Sequence, residues 1–262
     1  MRYSTSGTSV VAAYSTSGSR YRDRMSIHLV GGGWSVEHET EIFGGFLLEA
    51  AERAERSGRL VPRFALVFVG DEASIDYQAQ YLEALARVAP CEPVVEFVRI
   101  GQSLPSTSLT DIDGIFVGGG LTPAYLAALE PRMDELRLLV ADGLPYLGFS
   151  AGAAIAADTA IIGGWRLAGV PVCDQDFSED LDEVTVAQGL GFVDLAIDVH
   201  AAQWGTLTRL IAATEAGLVQ GGIAIDESTV LVVGDGELLV RGRGNVWQVT
   251  DGTDGVVVAT IG

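Results

Sequence analysis

The chain has 262 residues, of which 48% are hydrophobic and 19% are charged, and its 35 acidic against 16 basic residues give a formal net charge of −19. A chain of this length and composition can bury a sizeable core and is typical of one large α/β domain. The excess of negative charge argues against nucleic acid and against an anionic membrane as partners, because both would be repelled.

Residue types that are scarce or missing narrow the chemistry further. All 16 basic residues are arginine, so no mechanism can use a lysine base, a Schiff base or a P-loop lysine. The two cysteines, Cys91 and Cys173, lack the spacing of metal ligands. No apolar stretch reaches the ~18 residues of a membrane span, and the N-terminus lacks the apolar segment of a secretory signal. We therefore expect a cytoplasmic protein that needs no metal and no cofactor.

The first segment, residues 1–24, is rich in Ser, Thr, Tyr, Gly and Arg and repeats the run Tyr-Ser-Thr-Ser-Gly at Tyr3 and Tyr14. Such a composition cannot bury a core. The sequence predicts a disordered extension over 1–24 and a single domain over 25–262. The alternatives are a natural start at Met25, or an arm for oligomerisation or a tethered peptide.

From Ile27 onwards, short apolar runs alternate with helical patterns. The predicted strands are Ile27–Val30, Arg63–Val69, Val94–Ile100, Asp113–Val117 and Tyr146–Phe149, and the predicted helices are Glu41–Arg56, Ile75–Val88, Pro123–Leu129 and Arg132–Asp142. This alternation predicts an α/β fold, a doubly wound and mostly parallel sheet flanked by helices. After an acidic, loop-rich segment at 163–183, short β elements with Gly-rich turns predict a C-terminal antiparallel extension of one sheet edge.

The run Gly148–Gly152 matches G-x-S-x-G and lies between a predicted strand and an alanine-rich helical stretch. This is the sequence pattern of a nucleophile elbow, in which a side chain on either glycine would collide with the neighbouring strand or helix. Such a turn exposes the Oγ of Ser150 and points the first N–H groups of the helix at a developing anion. The alternative is a small-residue loop that only packs a strand against a helix.

A serine nucleophile needs a base, and the chain offers only His28, His38 and His200. His200 follows the apolar run Leu195–Val199, so we expect it at a carboxyl end of the sheet, where sites of α/β proteins lie. His28 opens a strand and is interpreted as structural, whereas His38 is a weaker candidate for a substrate contact. We predict that His200 is the base.

Two backbone N–H groups are needed to bind the oxyanion of an acyl transfer. Ala151, which follows the serine, supplies one of them in an elbow. Gly119 or Gly120, in the glycine run after the fourth strand, is predicted to supply the other. A plain turn and a phosphate cradle are the alternatives, although the run lacks the spacing G-x-G-x-x-G.

Four stretches together resemble peptidase family S51, which contains cyanophycinase and the aspartyl dipeptidase E on a fold related to class I glutamine amidotransferases. They are Gly118–Thr122, Gly148–Ala153, Asp198–His200 with Arg209, and Gly222–Thr229. The resemblance covers about residues 25–262. It implies a serine peptidase that hydrolyses peptide or isopeptide bonds beside aspartyl residues through an acyl-enzyme. It further implies Ser150 as nucleophile, His200 as base, Thr122 in substrate binding, a small peptide substrate and a homodimer.

The chain also departs from this family. In cyanophycinases a cluster of arginines follows the histidine, whereas here the corresponding positions include Gln203 and Trp204, and only Arg209 remains. We expect Arg166, Gln203 and Arg209 to contact the substrate, with pairing of an arginine to the acidic segment as the alternative.

The acid that orients the imidazole is expected from the segment 163–183. The available acids there are Asp174, Asp176, Glu179 and Asp180, and we select Glu179. The alternatives in function are another amide or ester hydrolase and a non-catalytic binding protein on the same fold. A glutaminase is disfavoured because the elbow holds serine instead of cysteine.

Overall fold

The computed structural model describes residues 26–71, 77–234, 236 and 238–261, so the extension predicted at 1–24 lies outside the described residues. In chain order the strands are β1 (Ile27–Val30), β2 (Arg63–Gly70), β3 (Glu92–Arg99), β4 (Gly114–Val117), β5 (Tyr146–Phe149), β6 (Thr159–Gly163), β7 (Arg166–Leu167), β8 (Val170–Pro171), β9 (Thr185–Gln188), β10 (Ala196–Val199), β11 (Gly221–Ile225), β12 (Thr229–Val233), β13 (Leu239–Gly242), β14 (Val246–Thr250) and β15 (Val257–Ile261). The α-helices are α1 (Glu39–Arg56), α2 (Tyr77–Val88), α3 (Thr122–Leu129), α4 (Met133–Ala141), α5 (Ala151–Ala154) and α6 (Leu207–Glu215).

A seven-stranded sheet forms the centre of the fold, with the order β13-β12-β1-β5-β4-β2-β3. The five strands from β1 to β3 in this order pair in parallel, and β12 and β13 add antiparallel strands at one edge. This arrangement confirms the predicted doubly wound α/β fold. It also explains why β4 and β5 are nearly continuous apolar runs, since a parallel sheet is covered on both faces.

Two hydrophobic cores cover the two faces of this sheet. The side chains of β2 alternate between these two cores. Phe64, Leu66 and Phe68 belong to the core that contains side chains of α1 and α2. Ala65 and Val67 belong to the core that contains side chains of α3, α4 and α5. Successive side chains of a strand point to opposite faces, so β2 divides its apolar residues between two helical layers.

A second sheet of four strands has the order β10-β11-β14-β15, with β10 and β11 parallel and the other pairs antiparallel. The sequence predicted that the terminal β elements extend the edge of the main sheet. Only β12 and β13 do so, because both edges of β11 are already paired, one with β10 and the other with β14. The strand that precedes His200 therefore belongs to the second sheet, and the two sheets meet near its end.

A helix that spans a membrane needs about 20 predominantly apolar residues. Across the described ranges, no helix combines the length and the apolar character required to cross a bilayer. The longest helix, α1, has 18 residues and carries glutamates in its first turn and arginines in its last. That distribution of charge complements the helix dipole.

Candidate active site

Ser150 lies at the sharp turn between β5 and α5. Its backbone has φ 53° and ψ −110°, a strained conformation for a residue with a side chain. A β-carbon on Gly148 would lie 2.4 Å from the carbonyl oxygen of Gly152, and one on Gly152 would lie 2.3 Å from the carbonyl oxygen of Val117 in β4. The flanking glycines are therefore required by crowding, as in a nucleophile elbow.

The structure brings the side chains of Ser150 and His200 together. Ser150 Oγ lies 2.8 Å from His200 Nε2, although the residues are 50 positions apart in the chain. Both residues are buried, with 7% and 4% of their surface exposed. At this distance the imidazole can accept the hydroxyl proton directly.

The backbone of His200 connects the two sheets. His200 follows β10 with φ 56°, and its N–H donates to the carbonyl oxygen of Gly31, the residue after β1, at 2.9 Å. Ser150 is tied to the same strand, because its N–H donates to the carbonyl oxygen of Val30 at 2.9 Å. The end of β1 thus positions the backbone of both residues.

The acid beside the imidazole is Glu227 and not the predicted Glu179. Glu227 Oε1 lies 2.7 Å from His200 Nδ1, whereas Glu179 Oε2 accepts a hydrogen bond from the N–H of Thr122 at 2.8 Å. The physical reason is strand pairing: β10 and β11 are parallel neighbours, so residues that follow them meet at one edge. Sequence reasoning missed Glu227 because the segment 163–183 offered more acids; the acids directly after the apolar run Gly222–Ile225 were the available signal.

The glycine run after β1 packs directly against the His200 and Glu227 side chains. A β-carbon on Gly32 would lie 2.1 Å from Cε1 of His200, and one on Gly33 would lie 2.6 Å from Oε2 of Glu227. Both glycines have positive φ, 91° and 69°. The structure thus places the glycine run after β1 at the site.

The glycine run after β4 lies on the other side of Ser150. A β-carbon on Gly119 would lie 3.0 Å from Cβ of Ser150. The hydroxyl of Tyr125 donates to the carbonyl oxygen of Gly119 at 2.8 Å, so the N–H of Gly120 in the same trans peptide points away from Tyr125. In the described part of the chain, the N–H groups of Gly119, Gly120 and Ala151 have no backbone acceptor.

Gly119 differs from Gly120 in its surroundings. Burial raises the pKa of the Tyr81 phenol, and a hydrogen bond with the backbone of Gly119 offsets part of that rise. The carbonyl oxygen of Gly119 is engaged by the hydroxyl of Tyr125. Both predicted oxyanion donors in this run keep an N–H without a backbone acceptor in the described part of the chain, and the N–H of Gly120 is the one that points away from Tyr125.

Glu179 anchors the segment 163–183 to the first residue of α3. Burial raises the pKa of its carboxyl group, while the hydrogen bonds from Thr122 and the charge of Arg209 act in the opposite direction. Thr122, predicted to bind substrate, is itself buried. In the structure, the N–H of Thr122 donates a hydrogen bond to Glu179 at the start of α3.

The arginines predicted to hold a substrate carboxylate are already paired. Arg209 is 4% exposed and forms a bidentate ion pair with Asp198 at 2.8 and 2.7 Å, and its Nη1 donates to the carbonyl oxygens of Gly164 and Phe177. Burial lowers the pKa of a guanidinium, but the charge of Asp198 outweighs it here, so Arg209 stays charged.

Arg166 and Gln203 are also engaged with protein groups. The guanidinium of Arg166 lies 2.8 Å from a carboxylate oxygen of Asp182 and 3.1 Å from one of Glu183, both in the acidic segment. The side-chain oxygen of Gln203 accepts from the N–H of Glu227 at 2.9 Å. Gln203 therefore positions Glu227 in this structure. Arg166 pairs with the acidic segment, which is the alternative that the sequence analysis gave for an arginine.

Substitution of Gly32 tests the contact between the glycine run and the imidazole. In Gly32→Ala the new methyl group would overlap the His200 ring, so we expect the reactivity of Ser150 towards a fluorophosphonate to fall by about 10- to 100-fold. Gly58→Ala is the matched control, because Gly58 also has positive φ but its β-carbon would meet no atom within 4 Å. Equal reactivity of the two variants would contradict this interpretation.

Glu179→Gln tests the raised pKa of Glu179. The Glu179 carboxyl binds its proton more tightly in the folded than in the unfolded chain, so the wild type loses stability as pH rises from the ordinary glutamate range through the raised value. The glutamine keeps an acceptor for Thr122 but does not titrate. We expect the unfolding free energy of the variant, relative to wild type, to increase across that pH range in urea titrations. A decrease would show that the pKa is lowered instead.

Comparisons with known proteins give the family of the chain. The sequence model of Peptidase family S51 matches residues 65–241. A cyanophycinase from Synechococcus elongatus is 29% identical over 216 residues, which cover 77% of this chain and 56% of the relative. A cyanophycinase from Trichormus variabilis is 33% identical over 144 residues, or 53% of this chain and 45% of the relative. The chain thus spans about half the length of the curated relatives it matches.

A solved structure supports the fold independently. It is a protein from Listeria monocytogenes EGD-e that carries the provisional name peptidase E, with a TM-score of 0.51 and 16% sequence identity over 84% of this chain and 100% of that one. At this identity the likeness concerns the fold alone. The match of the family model over more than half of the sequence decides the classification: the chain belongs to peptidase family S51.

Proposed function

We propose that the protein is a serine peptidase that hydrolyses peptide or isopeptide bonds through an acyl-enzyme on Ser150. One observation carries the proposal: Ser150 Oγ, His200 and Glu227 form a continuous chain of contacts of 2.8 and 2.7 Å. This is the arrangement of nucleophile, base and orienting acid that activates a serine in hydrolases. Family membership supports the same chemistry.

In the proposed mechanism, His200 Nε2 takes the proton of Ser150 as Oγ attacks the carbonyl carbon of the substrate. The N–H groups of Gly120 and Ala151 bind the oxyanion that forms. When the carbon–nitrogen bond breaks, the leaving amine takes the proton from Nε2. A water molecule then gives a proton to Nε2, attacks the acyl carbon and releases Ser150 with its hydroxyl proton restored.

Glu227 has a separate role in this scheme. Its carboxylate accepts the Nδ1–H of His200, so Nε2 is left without a proton and faces Ser150. The carboxylate also stabilises the imidazolium that forms after proton transfer. Gln203 supports this acid through the N–H of Glu227.

Two relatives named cyanophycinases support a peptide-type substrate. An aspartyl residue at the scissile bond is what the resemblance to peptidase family S51 implies. The paired state of Arg166 and Arg209 favours a second candidate, another amide or ester hydrolase. That enzyme would not require an arginine to hold a substrate carboxylate.

A fluorophosphonate probe tests the proposed triad. We expect labelling of Ser150 in the wild type, none in Ser150→Ala, and a rate lower by about 10³-fold or more in His200→Ala. Glu227→Gln should slow labelling at least tenfold more than Glu179→Gln, because only Glu227 contacts the ring. A folded wild type that is not labelled would indicate a non-catalytic binding protein, and equal effects of the two glutamine variants would exclude Glu227 as the acid.

A substrate panel separates the two candidate functions. We expect hydrolysis of aspartyl dipeptides or β-aspartyl isopeptides by the wild type and not by Ser150→Ala, measured by release of the free amine. Each substrate is matched by a counterpart of the same shape in which the free carboxylate of the aspartyl residue is a carboxamide, which is asparagine in the dipeptides and the α-amide in the isopeptides. Equal rates on both members of a pair, or hydrolysis of simple esters alone, would favour the second candidate.

A further inference from the structure

The ring of His200 is part of an aromatic stack that the proposed mechanism does not use. The ring of Trp204 lies parallel to the imidazole, with 3.5 Å between centroids and 4° between planes. Phe177, from the segment 163–183, stacks on Trp204 at 4.5 Å and 10°. Trp204 is therefore the member of the stack that contacts both other rings.

Trp204 is held in this place by its own backbone. Its N–H donates to the carbonyl oxygen of His200 at 2.8 Å, which closes a tight turn after β10. In the described ranges, Trp204 belongs to none of the three hydrophobic cores, and its neighbours Ala202 and Gln203 are exposed. Core packing thus does not account for a half-buried tryptophan at this position.

The stack restrains a movement that the hydrogen bonds of the imidazole leave free. Contacts at Nε2 and Nδ1 fix the two nitrogens, but a tilt about the line joining them changes either distance only slightly. An aromatic face parallel to the ring at 3.5 Å blocks this tilt by steric contact. The π-face of an indole also attracts a cation, and His200 becomes a cation when it takes the serine proton.

The segment 163–183 completes this arrangement. Phe177 backs Trp204, its carbonyl oxygen accepts from Arg209, and Glu179 binds the N–H of Thr122 just beyond the oxyanion loop. The same short stretch therefore contacts both the support of the base and the loop that carries Gly120. These contacts attach the segment 163–183 to both sides of the site.

We propose that Trp204 is a positioning residue for His200, that it keeps the imidazole aligned on Ser150 Oγ, and that Phe177 holds it there. The role rests on the proposed function, because it has meaning only if His200 is the base. Trp204 touches the base and not the reacting atoms. Its removal should lower kcat more than it raises KM.

The test compares Trp204→Leu, which removes the flat face, with Trp204→Phe, which keeps it. We expect fluorophosphonate labelling of Ser150 to slow by about 10- to 100-fold in the leucine variant and to recover to within about threefold of wild type in the phenylalanine variant. Trp165→Leu is the matched control, since Trp165 is a half-buried tryptophan of the segment 163–183 whose indole N–H donates to Asp182. It should label at the wild-type rate.

A spectroscopic measurement tests the contact separately, because an imidazole stacked on an indole alters the emission of that indole. Tryptophan emission should change from wild type to His200→Ala, and the same replacement in a Trp204→Phe background should leave the emission unchanged. Folding of each variant is checked by circular dichroism. Unchanged labelling of folded Trp204→Leu, or a phenylalanine variant no better than the leucine variant, overturns the positioning role while leaving the proposed function intact. Absence of labelling in the wild type overturns both.

Discussion

The site depends on a close approach of two sheets at the end of β1, where only glycine backbone fits. A β-carbon on Gly31 would lie 2.2 Å from the carbonyl oxygen of Asp226, next to β11. β-Carbons on Gly32 and Gly33 would lie 2.1 Å from the His200 ring and 2.4 Å from the Glu227 side chain. The N–H of His200 donates to Gly31 across the same junction. Because this edge of the main sheet also holds Ser150 through Val30, one strand end sets the distance between nucleophile and base.

The strained turn at Ser150 and the left-handed turn at His200 occupy the same kind of position in the fold. Each residue follows the last position of a buried strand, and each has positive φ, 53° and 56°. Non-glycine residues adopt such angles at a cost, which the surrounding contacts must offset. Here those contacts are the strand pairings of β5 and β10 and the hydrogen bonds to the end of β1. The two residues with strained backbone, Ser150 and His200, are therefore also the two whose side chains meet where the sheets join.

Arginine is used in this acidic chain mainly to join segments. Arg209 ties β10 to the segment 163–183 through Asp198 and two carbonyl oxygens, and Arg59 joins the end of α1 to the buried Asp113 before β4. A buried bidentate pair of this kind specifies geometry, because removing one partner leaves an uncompensated charge. The pairing also explains why Arg209 does not serve as a free carboxylate receptor.

Local sequence determined the elements and the elbow. Apolar runs of four to eight residues are buried strands wherever helices cover both faces of a sheet, and G-x-S-x-G can be recognised because its crowding is local to β5 and α5. His200 could be selected because few histidines exist and one of them follows an apolar run. These inferences require only near neighbours in the chain.

Tertiary structure alone decided which acid and which aromatic ring accompany His200. Glu179 precedes His200 in the chain and Glu227 follows it, and neither separation along the sequence favours one acid over the other. The choice depends on the pairing of β11 with β10, which brings Glu227 to the imidazole, whereas Glu179 binds the first residue of α3. The placement of Trp204 on the imidazole depends on a turn with positive φ at His200, an angle that only a few per cent of residues with a side chain adopt. Contacts between distant segments are set by strand order and register, and the sequence of either segment taken separately does not contain that information.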